Sequence, residues 1–144
     1  MIAFDLDDFE LAPTAPGLRV SFPVHSAAGA ASTAAVLFEL DPGAELGVHT
    51  DSAEELLIIV QGTAEARVGD EVGRLETHQM GLVPPMAPHG LRNLGDDVLR
   101  VLGTFSASTV VSTFERPFEE NGPQVVVIGS PVAVAGYLEE AVPA

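Results

Sequence analysis

Four side chains that could bind one divalent metal ion occur in two short segments: His49, Asp51, Glu55 and His89. His49 and Asp51 stand two residues apart, so both would point to the same face of a β-strand. Glu55 opens the alternating apolar run 55–61, which places its carboxylate on the interior face of a strand. Because a buried carboxylate needs a compensating charge, a metal ion would satisfy it. The spacing therefore predicts a metal site inside a β-structure.

His89 directly follows the segment PPMAP, residues 84–88, whose prolines restrict the backbone. We expect His89 on a turn at the mouth of a barrel. The chain has no cysteine, so its metal ligands must be nitrogen and oxygen, which suits Fe(II), Mn(II), Ni(II), Co(II) or Zn(II). The set His49, Asp51 and His89 has the composition of a two-histidine, one-carboxylate facial triad, which leaves coordination positions open for substrate and oxygen.

The elements that must position these residues are short strands. Runs rich in Val, Ile, Leu and Phe are separated by turn signals such as Asp-Pro-Gly, Gln-Gly and Gly-Asp, and no helical period appears between residues 34 and 118. This pattern predicts an all-β sandwich or barrel. The predicted strand regions are 19–24, 34–40, 54–60, 66–68, 81–85, 98–114 and 125–128. Pro23 favours an edge position for the first of them.

The length of 144 residues predicts one domain in three parts. Residues 1–33 are expected to form an N-terminal arm and edge strand, 34–118 the barrel core, and 119–144 a C-terminal strand and helix. Ser130 and Pro131 are typical of an N-cap and first helical residue, so we expect a short helix from there through Tyr137 to Ala141.

Charge and hydropathy argue against several classes of partner. The formal net charge is −15, from 21 acids against six arginines and no lysine. Such a surface repels phosphate backbones and anionic lipids, so neither nucleic acid nor membrane partners are expected. The acidic N-terminus does not have the pattern of a secretory signal, and no run is long and apolar enough for a membrane span, so we predict a cytoplasmic location.

Both site segments resemble the motifs of the cupin superfamily. Its first motif, G(x)5HxH(x)3-4E(x)6G, is similar to the run from Gly43 to Gly62, with His49, Asp51 and Glu55 at the required spacing. Its second motif, G(x)5PxG(x)2H(x)3N, is matched by Pro84, His89 and Asn93. The resemblance implies a cupin β-barrel of the double-stranded β-helix, or jelly-roll, type, and a metal pocket inside it.

Three positions differ from the cupin motifs. Asp51 replaces the second histidine, Met86 replaces the inner glycine of the second motif, and His78 replaces its first glycine. We interpret His78 as a structural turn residue. A divalent ion bound by two neutral histidines and by the ionised Asp51 and Glu55 would have a formal net charge of zero. Such a centre is a weaker Lewis acid than one with three histidines and one glutamate.

Asp51 allows three interpretations at this stage. It could bind the metal directly, it could bind a metal-bound water, or the site could have lost strong metal binding. An aspartate is shorter than a histidine, so direct binding requires that the strand brings it close to the ion.

The resemblance to the quercetin dioxygenase-like group of cupins implies a mononuclear oxygenase that acts on a small organic substrate able to chelate the metal through adjacent oxygens. His49, Asp51 and His89 would hold the metal, and Glu55 would be the fourth ligand or the general base. The alternatives are a non-redox isomerase, lyase or cyclase that uses the same site, and a non-catalytic cupin that binds a small ligand.

Two further expectations concern partners and surface charge. The habit of the family and the apolar segment 125–138 predict a homodimer. Arg92 and Arg100 could anchor an anionic substrate from the interior, but we expect them to pair with surface acids.

Overall fold

The computed structural model describes residues 1–118 and 120–129, which contain two short 3-10 turns, Leu6–Asp8 and Ser26–Ala28, and twelve β-strands. The strands are β1 (Ala12–Ala15), β2 (Leu18–Val24), β3 (Ala34–Leu40), β4 (Glu45–Asp51), β5 (Glu55–Gln61), β6 (Thr63–Val68), β7 (Glu71–Glu76), β8 (Met80–Val83), β9 (His89–Asn93), β10 (Leu99–Phe105), β11 (Val110–Phe114) and β12 (Val125–Ile128). No α-helix occurs within this described part of the chain.

The strands form two antiparallel six-stranded sheets. One has the order β1-β2-β3-β10-β5-β8, and the other has the order β12-β11-β4-β9-β6-β7. Sequence neighbours such as β4 and β5 lie in different sheets, so the chain crosses repeatedly between the two. This arrangement agrees with the all-β class and with the jelly roll expected from the resemblance.

The core lies between the two sheets, and the central strand β10 alternates strictly between buried and partly buried residues. In β10, every second residue from Leu99 to Phe105 is buried, whereas the residues between them are only partly buried. The neighbouring strands contribute Phe38 and Leu57 to the same cluster. Removing such a side chain from water stabilises the fold by about 1.5–3 kcal/mol each. Strand β5 pairs with β10 at the edge of this core, and its first residue, Glu55, is a candidate ligand.

Most predicted strands are confirmed, although the predicted region 98–114 divides into β10 and β11 and β9 was not predicted. Strand β7 was not predicted, because five of its six residues are exposed and it has no apolar alternation. The edge position predicted for residues 19–24 is wrong, since β1 is the edge and β2 lies inside it. Pro23 is tolerated because β1 pairs with β2 only as far as Val20, and the β2–β3 register shifts between Ser21 and Val24.

Two residues that replace motif glycines have left-handed backbones. His78 has φ of 72° and Met86 has φ of 63°, and both side chains are exposed. The turn role predicted for His78 is confirmed, and the conformation explains why cupin motifs place glycine at both positions.

The strand predicted at residues 125–128 is confirmed as β12. The helix predicted from Ser130 to Ala141, and most of the apolar tail on which the expected homodimer depends, lie outside the described residues, so the homodimer stays a prediction. Among the described residues, no helix has the length and hydropathy required to cross a bilayer.

Candidate metal centre

The four predicted residues meet where three strands begin or end. His49 and Asp51 lie at the end of β4, Glu55 is the first residue of β5, and His89 is the first residue of β9. All four side chains are buried, with exposed fractions of 1% to 5%. The prediction that His89 lies on a turn needs a correction, because its backbone pairs with His49 in the ladder between β4 and β9.

One oxygen of Asp51 lies beside both imidazoles. Its Oδ2 atom is 3.1 Å from Nε2 of His89 and 3.6 Å from Nε2 of His49. The two imidazole rings are 4.2 Å apart between centroids. The shorter aspartate therefore reaches the same point as the histidines, which the sequence alone left open.

The other ring nitrogen of each histidine is held by the backbone. Nδ1 of His49 lies 2.8 Å from the carbonyl oxygen of Gly47, and Nδ1 of His89 lies 2.9 Å from that of Ala87. A carbonyl only accepts, so each Nδ1 carries the hydrogen and donates it. In the neutral imidazole, Nε2 then presents its lone pair to Asp51, which is the orientation that metal-binding histidines need.

Asp51 is itself oriented by a residue that sequence reasoning missed. The hydroxyl of Ser112 donates to Oδ1 of Asp51 at 2.5 Å, and the two residues are cross-strand partners in the β4–β11 ladder. The remaining oxygen, Oδ2, is buried and forms no well-aligned hydrogen bond with any described residue. A polar residue in the middle of the buried run Val110–Phe114 is the signal that could have revealed Ser112.

Glu55 lies next to the triad rather than within it. Its Oε1 is 3.2 Å from Nε2 of His89, whereas the group of ligand atoms that all lie within 4.8 Å of one another comprises only His49, Asp51 and His89. Room for Glu55 comes from Gly103 on β10, since a Cβ at that position would collide with the Glu55 carboxylate. Gly103 was also missed, and a glycine inside a buried strand is the available signal.

Burial and mutual contact shift the ionisation of all four groups. Burial lowers the pKa of His49 and raises the pKa of Glu55. Burial alone would lower the pKa of His89, but the carboxylates of Asp51 and Glu55 outweigh it and raise that pKa to about 10. Burial also acts to raise the pKa of Asp51, yet His89, His49 and Ser112 together lower it. Without an ion, a proton on His89 compensates the carboxylates.

The donor set fits a divalent transition metal. Two ligand atoms bound at about 2.1 Å and at right angles lie about 3 Å apart, close to the separations between Asp51 Oδ2 and the two histidine nitrogens. Oδ2 of Asp51 and Nε2 of His49 face each other as two acceptors 3.6 Å apart, and a metal ion between them would bind both. If His89 instead donates a proton to Oδ2 of Asp51, Nε2 of His49 still faces only an acceptor.

The site opens on a cavity of about 110 Å³ between the two sheets. Its polar lining consists of His49, Asp51, Glu55 and Ser112 at one end, together with Thr14, and its other described lining residues are apolar. The predicted pairing of Arg100 with a surface acid is confirmed, because its guanidinium lies 2.9 Å from Asp7. Arg92 is exposed and does not line the cavity.

Comparisons with known proteins find similarity to cupin domains. Residues 36–105 match the family model described as a cupin domain. The fold is similar to the cupin domain of Cnp3 from Schizosaccharomyces pombe, with 21% identity, a TM-score of 0.65 and coverage of 74% of each chain. It is also similar to KdgF from Halomonas sp., with 24% identity, a TM-score of 0.61 and coverage of 70% of this chain and 90% of that one.

A further similar structure is the oxalate decarboxylase of Lactobacillus farciminis in its formate complex, with 22% identity and a TM-score of 0.70. The match covers 78% of this chain but only 35% of the decarboxylase, so this chain spans about a third of that protein. No protein of curated function matches the sequence. These structural similarities concern the fold alone.

Proposed function

We propose that this protein, whose residues 36–105 match the family model described as a cupin domain, is a mononuclear metal-dependent enzyme, most simply an oxygenase acting on a small organic molecule with adjacent oxygen atoms. The observation that carries the proposal is the convergence of Asp51 Oδ2 with both histidine Nε2 atoms in a buried site beside a cavity. The position of Oδ2, beside Nε2 of both histidines, supports the direct-ligand interpretation of Asp51.

In this proposal, His49, Asp51 and His89 would hold the ion, and this donor set has the composition of a facial triad. A bound divalent metal supplies Lewis-acid activation of substrate oxygens and, when it is redox-active, one-electron chemistry with dioxygen. The backbone carbonyls of Gly47 and Ala87 fix the two imidazoles, and Ser112 fixes the carboxylate. The three ligands are therefore preorganised without relying on the ion.

Glu55 is positioned to move a proton. Its carboxylate lies against His89, outside the triad but beside the cavity, and burial raises its pKa. A carboxylate with a raised pKa is a better base near neutral pH than an exposed one. Glu55 would accept the hydroxyl proton of an entering substrate, so that the substrate oxygen becomes anionic as it reaches the triad.

A second candidate uses the same residues without redox chemistry. Because Glu55 can take and return a proton next to an activated carbonyl, the site also suits an isomerase, lyase or cyclase. The raised pKa of Glu55 favours this candidate as much as the first, so the two must be separated by experiment.

The deciding experiment combines metal content with oxygen dependence. We expect the purified protein to carry about one transition metal ion per chain, and to consume dioxygen in proportion to a catechol, hydroxypyranone or 1,3-diketone substrate. Turnover by a zinc-loaded protein in the absence of oxygen would overturn the oxygenase and support the second candidate. Absence of bound metal and of metal-dependent thermal stabilisation would overturn both, in favour of a non-catalytic ligand-binding cupin.

Replacing Asp51 tests the direct-ligand interpretation. Asp51→Ala should lose metal, whereas the exposed turn residue Asp70 gives a matched control, Asp70→Ala, that should retain it. Full metal occupancy in Asp51→Ala would show that Asp51 is not a ligand.

A further inference from the structure

The cavity beside the metal centre has an aromatic wall. Five of the chain's seven phenylalanines line it: Phe22, Phe38, Phe105, Phe114 and Phe118. The wall begins at the candidate ligand His49, whose ring stacks on Phe114 with centroids 4.5 Å apart and an interplanar angle of 19°, and it continues to Phe118 at 4.6 Å. The cavity is thus polar at one end and apolar along its length.

No cationic side chain lines this cavity. Arg19, Arg74 and Arg100 pair with acids on the surface, at 2.9 Å in each case. The other three arginines line two neighbouring grooves, which share only Leu46, Phe114 and Phe118 with the lining of the cavity, and none of the three lines the cavity itself. The chain has no lysine, and residue 119 and residues 130–144 contain no arginine, so no part of the chain outside the described residues can supply one.

The charge of the site itself offers no compensation for an anion. Asp51 and Glu55 together neutralise a divalent ion, so a dianionic ligand would bring two uncompensated negative charges into an apolar cavity. Such a transfer is strongly unfavourable, whereas an uncharged apolar molecule gains from the same burial. The volume of about 110 Å³ is comparable to apolar cavities of roughly 150 Å³ that accept benzene.

We propose that this cavity selects an uncharged, ring-sized apolar molecule that carries two adjacent oxygen atoms, and that it discriminates against small dicarboxylates. The oxygens lie toward His49, Asp51 and His89, and the ring lies along the phenylalanine wall. This inference rests on the proposed function, since it assumes that a metal ion receives the two oxygens.

The test compares two chelators that both form five-membered rings with a metal. One is 3-hydroxy-2-methyl-4-pyranone, which is uncharged in solution, and the other is oxalate, a dianion. The protein is loaded with Co(II), and binding of each probe is followed by visible absorption of the cobalt and by the shift in melting temperature. We expect the pyranone to bind at least about tenfold more tightly than oxalate, because only oxalate brings an uncompensated dianion into the cavity.

A variant that adds a cation tests the cause of the preference. Phe22 lines the cavity and is 38% exposed, so Phe22→Arg can place a guanidinium at the cavity without filling the core. We expect oxalate to gain affinity in Phe22→Arg, whereas Phe4→Arg, at an exposed phenylalanine that does not line the cavity, should behave as the unaltered protein.

The possible failures are distinguishable. Stoichiometric cobalt binding with equal or tighter binding of oxalate would overturn this inference and leave the metal centre intact. Failure to bind cobalt would overturn the proposed function, and with it this inference. An oxalate affinity unchanged in Phe22→Arg would show that the missing cation does not determine the preference.

Discussion

Strands β5 and β7 both begin with a glutamate, yet only one of these glutamates belongs to a candidate site. Glu55 in β5 is 3% exposed and contacts His89, whereas Glu71 in β7 lies on a strand that is exposed at nearly every residue. The residue type and the strand position are the same. The difference shows that burial beside a second titratable group, and not the carboxylate alone, prepares a side chain for metal or proton chemistry.

The largest expected effect is on metal affinity, and it comes from removing a ligand in the buried region around Glu55. His89→Asn should weaken metal binding by more than about 100-fold, because one of three triad ligands is lost. His78→Asn is the matched control, since His78 is an exposed histidine with φ of 72° and asparagine tolerates that conformation. Elemental analysis and Co(II) titration measure both variants.

Full metal stoichiometry in His89→Asn would contradict the triad. Loss of metal in His78→Asn as well would mean that binding depends on global folding, so melting temperatures of both variants are measured alongside.

The next largest effect is on turnover, and it compares Glu55 with Glu71 directly. Glu55→Gln should reduce turnover by about 100-fold or more, since glutamine cannot accept a proton. Glu71→Gln should leave turnover unchanged. Metal content distinguishes the two roles of Glu55: retained metal in Glu55→Gln identifies a base, whereas lost metal identifies a fourth ligand.

Undiminished turnover in Glu55→Gln would remove Glu55 from the reaction. In that case the carboxylate would serve only to compensate the charge of His89 in the metal-free protein.

The comparison also separates what could be predicted from sequence and what could not. His49, Asp51 and Glu55 were predictable because their spacing is read along one stretch of chain, with the strand period placing them on interior faces. Ser112 and Gly103 were not, because their roles depend on which strands become neighbours and in which register. Sequence spacing carries no information about that register when the partners lie 48 to 61 residues apart.

The same reasoning applies to the strands. β3 and β10 were predictable from their runs of apolar residues, and β10 packs between two neighbours. β7 was missed because an exposed edge strand needs no apolar face, and among the described strands it pairs with β6 alone. Buried strands are therefore visible in the sequence, whereas an exposed edge strand is defined mainly by its partner.

A smaller effect tests the space that Glu55 occupies. Gly103→Ala would place a Cβ against the Glu55 carboxylate and 2.9 Å from Val36 Cγ1, so we expect a loss of about 1–3 kcal/mol in the free energy of unfolding. Gly73→Ala in β7 is the matched control, since a Cβ there meets nothing within 4 Å. Chemical denaturation measures both, and equal stability of the two variants would contradict the packing described at Gly103.

The smallest expected effect concerns the residue that orients Asp51. Ser112→Ala removes the hydroxyl that donates to Oδ1 but leaves the three ligands in place, so metal affinity should fall by only about tenfold. Thr113→Ala, on the same strand but exposed, is the matched control.

The Co(II) absorption spectrum provides a readout that simple destabilisation would not change, because it reports the geometry of the ligands. An unchanged affinity and spectrum in Ser112→Ala would mean that β4 alone orients Asp51. A shifted spectrum at unchanged melting temperature would show that the preorganisation of the triad depends on the register between β4 and β11, and therefore on a contact that the motif does not contain.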